Sequence, residues 1–156
     1  MKQTIIAVIC FLCVSSLYIQ AQKINHPSLL YTPQRIQQVK QRMQHEPKLQ
    51  EAWGDIKRTA DEALQKKDFN RLDYLSLAYL MTDNKEYADV IKEILLKTVE
   101  AESWGDVEMM ARIPAWRSQL GMAHKSFLSA VGYDAAYNVM SSSERKKIAE
   151  GLKRLA

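Results

Sequence analysis

The chain has 156 residues, with 22 Lys+Arg against 18 Asp+Glu and a formal net charge of +4. A surplus this small, with no Lys/Arg cluster interleaved with aromatics, gives no argument for nucleic-acid binding. It is compatible with an acidic polymer, behind the reading of a merely solvated basic surface, and the length suffices for one cored domain or half of a larger one.

Met1-Lys2 precedes an apolar run from Ile5 to Ile19 that is too short to span a bilayer as a stable helix. The pattern predicts a secretory signal peptide over residues 1–21, with the mature chain at 22–156. Cleavage after Ala21 satisfies the small-residue rule at the last position, while Ile19 fits poorly two residues earlier. Losing Lys2 leaves 21 basic against 18 acidic residues. Both cysteines, Cys10 and Cys13, fall in the leader, and neither follows the small residue of a lipoprotein site. The exported chain is therefore expected to be cysteine-free, stabilised by packing, located in a bacterial periplasm or secreted, and without a membrane span.

Every later periodic segment has helical spacing and none alternates long enough for a strand, which predicts an all-α fold. Thr32 can cap a helix with Pro33 at its first position, and Ile36, Val39 and Met43 follow at intervals of three and four. Glu46-Pro47 ends that helix and opens the next, whose stripe Leu49, Trp53, Ile56, Ala60, Ala63 and Leu64 lies largely opposite Lys57, Arg58, Asp61 and Glu62. The stretch "LDYLSLAYLM" (72–81) is apolar on nearly all sides, as an enclosed helix should be. A turn with a capping box from Asp83 to Glu86 leads into Tyr87, Val90, Ile91, Ile94, Leu95 and Val99, which predicts an antiparallel helical hairpin. Residues 100–115, with Trp104, Gly105 and Pro114, have no clean period and read as a long connection. Helical spacing resumes with Leu120, Ala123, Phe127, Ala130 or Val131, and Tyr137. A second capping box, Ser141 to Glu144, opens a helix bearing Ile148, Leu152 and Leu155. The sequence stops inside that helix without a Gly or Pro stop, which reads as a truncation. Six main helices in antiparallel pairs are expected, with Trp53, Leu77, Tyr79, Ile94, Phe127 and Ile148 mostly buried.

Common catalytic signatures are missing from the mature chain: no GxxxxGK[ST], GxSxG, CxxC or GxGxxG occurs. "HEPKL" at His45 begins like a zinc-protease helix but lacks the second histidine, and Pro47 would break the helix that must present both ligands. His26, His45 and His124 are far apart and have no cysteine to join them, so neither a metal nor a cofactor is expected.

Four separated stretches, "HPSLLYTPQRIQQVKQRM", "WGDIKRTADEAL", "LAYLMTDNKEYADVIKEILL" and "AVGYDAAYNVMSSSERKKIAEGL", cover most of the mature chain. Their order and spacing resemble the N-terminal helical region of heparinase II/III-like polysaccharide lyases. Met140 replaces a leucine of that pattern, and Ala135-Ala136 stands where an aromatic is common; both departures concern packing. The resemblance implies antiparallel helical hairpins forming part of an incomplete α/α toroid in a secreted enzyme. Such enzymes cut uronic-acid polysaccharides, heparan- or chondroitin-like or alginate-like, by β-elimination. A base removes the proton beside the uronate carboxylate, a neutralising group stabilises the anion, and an acid protonates the leaving oxygen. In relatives the catalytic groups and a covering β-sandwich lie later than the matched region. The resemblance thus assigns no catalytic residue here, implies an inactive piece, and makes the missing toroid and sandwich segments its expected partners, beside an acidic polysaccharide substrate.

Trp116, Arg117, Gln119 and His124 lie at or just inside the start of the fifth helix, after an irregular connection of the kind that lines clefts. Arg117 could pair with a carboxylate or sulfate and Trp116 could stack on a sugar face. The competing reading makes Trp116 buried packing, Arg117 a surface charge and His124 a core-edge histidine. Tyr133 and Tyr137, one turn apart with Asp134 between them, read as a packed pair with Asp134 bonding a helix end, ahead of a catalytic acid. Two non-lyase readings stay open. One is a non-catalytic helical module binding glycan or protein; the other is a helical-repeat adaptor, against which the lack of a fixed period counts.

Overall fold

The computed structural model describes residues 24–114 and 119–155, so the leader and the candidate residues Trp116 and Arg117 lie outside the described residues. Within them the fold is all-α, with seven helices and no strand. They are α1 (Pro33–Met43), α2 (Pro47–Lys66), α3 (Leu72–Thr82), α4 (Lys85–Thr98), α5 (Val107–Met110), α6 (Leu120–Ala136) and α7 (Ser142–Leu155), with 3₁₀ turns at Phe69–Arg71 and Tyr137–Val139. Among the described residues no helix is long and apolar enough to cross a membrane.

Local chemistry sets most of these boundaries. Thr32 Oγ1 accepts from the Arg35 N–H at 3.3 Å, and Pro33 opens α1 where its missing N–H costs nothing. Pro47 opens α2, while Glu46 before it takes a bidentate pair from Arg42 at 2.7 and 2.8 Å. At α7 the capping box closes in both directions: Glu144 N–H donates to Ser141 Oγ at 3.2 Å, and Ser141 N–H donates to Glu144 Oε2 at 2.8 Å. The capping box expected from Asp83 to Glu86 does not form; the cap is one residue later and one-sided. Asn84 accepts from the Glu86 N–H at 3.1 Å and caps α4, whereas Asp83 takes a left-handed backbone (φ 57°) that ends α3. One residue stops a helix and the next starts one, so α3 and α4 close into a hairpin.

Helix α3 occupies the centre and packs against α1, α2, α4 and α6, which explains its all-round apolarity: Leu72, Leu75, Ala78 and Met81 are all buried. Leu75, Ile91, Leu95, Leu128 and Ile148 are fully buried around it, each contributing about 2 kcal/mol of transfer free energy. Gly132 on α6 lets that helix approach closely, since a Cβ there would meet Leu72 Cδ2 at 3.3 Å and Ile91 Cγ2 at 3.4 Å.

That close approach corrects one expectation about α6. Its buried face is Leu128, Val131, Gly132, Ala135 and Ala136, whereas Leu120 is 89% and Phe127 52% exposed. Two apolar stripes overlap on this helix, and the one with the small residues meets α3 and α4. Ile94 and Ile148 are buried as expected, and Trp53, Leu77 and Tyr79 are half-buried. The connection after α4 holds a short helix, α5, which Asp106 caps by accepting from the Met109 N–H at 3.0 Å.

Candidate functional site

Three helices and one connection meet to form a hollow of about 560 Å³. Helix α2 ends at Lys66, and Lys67 adopts a left-handed backbone (φ 51°) that turns the chain, so that Lys66, Lys67 and Phe69 all line the space. The last turns of α4 supply Glu93, Ile94, Lys97 and Thr98, the following connection supplies Ala101, Ser103 and Trp104, and α6 supplies Lys125. The volume falls within the roughly 300–1,000 Å³ of small-ligand sites.

Four lysines face one carboxylate here. Lys67 Nζ pairs with Glu93 Oε1 at 2.7 Å, both side chains half exposed. Among the described residues no carboxylate lies within 4.0 Å of the Lys66, Lys97 or Lys125 ammonium groups. Lys66 and Lys97 also sit in the last turns of α2 and α4, where they offset the partial negative charge of the helix ends. The groove keeps a positive surplus beside Phe69 and Trp104, the latter buried at 7% exposure. Its outer wall is held in place by Arg154, which donates to the Val99 and Glu102 carbonyls at 2.8 and 3.0 Å, and by the Lys147–Glu100 pair at 3.2 Å.

A second polar cluster lies elsewhere in the molecule and joins residues about a hundred positions apart. Asp134, nearly buried on α6, accepts the Ser28 and Leu29 N–H groups at 2.8 Å each and meets His26 Nδ1 at 2.5 Å. Asn138 Nδ2 donates to the His26 carbonyl at 2.8 Å. The His26 ring stacks on Tyr137 (3.8 Å between centroids), Arg145 covers Tyr137 at 4.6 Å, and Tyr133 meets Tyr137 edge-on at 5.6 Å. Burial, and after it the neighbouring Tyr137, holds the Tyr133 hydroxyl above its ordinary pKa. The tyrosine pair is therefore packed as the sequence suggested, but Asp134 bonds the extended segment ahead of α1 instead of a helix end. This clasp fastens "HPSLL" to "GYDAAYN".

A third cluster ties α2 to α4. Tyr87, 2% exposed, donates to Asp61 Oδ1, and Lys57 Nζ donates to Asp61 Oδ2 at 2.8 Å. The hydrogen bond from Lys57, then that from Tyr87, holds the Asp61 carboxyl below the usual carboxylate range. Lys57 is raised chiefly by the same bond, and Tyr87 is raised first by burial and then by Asp61.

Of the described candidates from the sequence, Gln119 precedes α6 and its side-chain carbonyl accepts the Asp106 N–H at 2.9 Å, bracing the connection. His124 is exposed on α6, and neither residue lines the lysine groove. The groove lysines escaped the linear reading because positions 66, 67, 97 and 125 share no window; the Lys66-Lys67 pair at a helix end was the one local signal. No protein-family model matches the chain, and no curated relative or solved structure similar to it was found.

Proposed function

We propose that this helical unit is the N-terminal part of a secreted polysaccharide lyase of the heparinase II/III-like kind, and that it holds an acidic, uronic-acid-containing polysaccharide as part of an α/α-toroid wall. The observation that carries this reading is the groove in which Lys66, Lys67, Lys97 and Lys125 converge beside Phe69 and Trp104, with Glu93 the one acidic lining residue among those described. Ammonium groups neutralise uronate or sulfate, and aromatic lining residues suit the C–H face of a pyranose. The four sequence stretches that resemble the family supply the enzymatic context.

The groove's lining is mainly cationic and apolar, and its carboxylate, Glu93, is paired with Lys67; β-elimination needs a base, an anion stabiliser and an acid converging on one sugar. The 156-residue chain is accordingly expected to bind acidic polysaccharide without releasing unsaturated uronate, and a form extended by the later toroid and sandwich to do both. Purified chain is incubated with heparan, chondroitin and alginate and with neutral dextran, and binding is followed alongside near-ultraviolet absorbance of the new double bond. Retention of the acidic polymers alone, with no absorbance change, supports the reading. Equal retention of dextran, or no retention of any polymer, contradicts it. The same groove also serves a non-catalytic glycan-binding module, which the extended form separates from a lyase by its lack of turnover.

A further inference from the structure

A second hollow of about 310 Å³ adjoins the lysine groove, and Trp104 lines both. Its remaining walls are Ser126 and Ala130 of α6 with Leu152 and Lys153 of α7. Lys125 lines the first hollow and Ser126, the next residue, lines the second, so the two hollows flank α6 on adjoining sides, about 100° apart, with Trp104 common to both. Arg154, adjacent to Lys153, binds the Val99 and Glu102 carbonyls and thereby fixes the Trp104 connection against α7. The two hollows are thus parts of one braced surface. Among the described residues Lys153 has no carboxylate within 4.0 Å, and it is the one cation in a lining otherwise made of Trp104, Ala130, Leu152 and the hydroxyl-bearing Ser126.

Resting on the reading of the groove as an acidic-polysaccharide site, we propose that the two hollows form one track that holds more than one sugar unit, with Trp104 as the divider and Lys153 as the distal charge contact. A polymer with an acidic group on every repeat meets Lys66, Lys97 and Lys125 in the first hollow and Lys153 in the second, while Leu152, Ala130 and the indole offer an apolar floor for the intervening ring. A disaccharide fills the first hollow alone. Only a longer chain reaches Lys153.

The test titrates the full chain with size-defined heparin disaccharide and hexasaccharide, in the unaltered protein and in Lys153→Ala, Ser126→Trp and Lys97→Ala, with circular dichroism confirming the fold of each. The hexasaccharide is expected to bind roughly tenfold tighter than the disaccharide, as additional contacts on one track require. Longer chains gain affinity from extra binding registers too, so the deciding result lies with the variants. Lys153→Ala, which removes the distal charge, and Ser126→Trp, which fills the second hollow, should each abolish most of the length increment and leave disaccharide affinity unchanged. Lys97→Ala should weaken both ligands. Hexasaccharide affinity unaltered by both second-hollow variants, or no length dependence, overturns the track while leaving the single groove standing. Binding of neither oligosaccharide overturns both.

Discussion

The His26–Asp134 clasp and the lysine groove are both polar, yet they are wired in opposite ways. In the clasp, the Asp134 oxygens, the Ser28 and Leu29 N–H groups, the His26 carbonyl and the Arg145 guanidinium all engage partners within the chain. In the groove, Lys67 has Glu93, while Lys66, Lys97 and Lys125 point charge into an open hollow. A cluster that satisfies itself stabilises the fold, and one that holds charge in reserve is where a ligand gains affinity. Breaking the first should cost stability; breaking the second should cost binding.

The largest stability effect is expected from Asp134→Ala, which removes the acceptor for two backbone N–H groups and for His26 in a nearly buried setting. Denaturant unfolding should record a loss of about 2 kcal/mol, since three part-buried hydrogen bonds to one carboxylate are lost together. A loss below about 1 kcal/mol would mean the segment ahead of α1 is fastened by something else.

Asp61→Asn sharpens the comparison on a half-exposed cluster. The substitution should cost about 1 kcal/mol at neutral pH, solvent screening taking most of the charge term. Because the folded carboxyl lies below its ordinary value of 3.8, its contribution is present above that pH and fades as pH falls further toward the folded value. The unaltered protein should lose stability on acidification in that window, and the variant should show a shallower acid limb, with Glu46 and Glu144, also held low, supplying the remainder. Superimposable pH profiles for the two proteins would remove Asp61 from the account.

Ser129 tests the same idea inside the core. It is fully buried on α6 and its hydroxyl has no hydrogen-bond partner among the described residues, so it behaves as neither clasp nor site. Ser129→Ala should raise the unfolding free energy by up to about 1 kcal/mol, because an unsatisfied hydroxyl is removed at little cost in volume. Destabilisation in thermal melts would reveal a partner for that hydroxyl in solution.

These expectations follow a division in how information is laid along the chain. Caps are local, so Thr32, Pro47, Ser141 and Glu144 could be read from neighbouring residues, and the enclosed character of Leu72 to Met81 from composition alone. Asp83 and Asn84 both cap well; only the hairpin geometry decides that Asp83 ends one helix and Asn84 begins the next. For α6 the pattern was ambiguous, and Gly132 broke the tie by admitting Leu72 and Ile91, which left Phe127 outside. The clasp and the groove are tertiary: "HPSLL" and "GYDAAYN" are each distinctive as sequence, but nothing local joins His26 to Asp134, just as nothing local joins Lys66 to Lys125.

The most direct test of the central claim joins both halves of the comparison in one protein, Lys66→Ala/Lys97→Ala/Lys125→Ala. Its unfolding free energy should stay within about 0.5 kcal/mol per site, because these ammonium groups make no ion pair within the described residues. Calorimetric titration with heparan at low ionic strength should then show binding lost, where the unaltered chain binds and is weakened by added salt. Heparan affinity unchanged in the triple variant, with the fold intact, would contradict the assignment of the groove as the polysaccharide site.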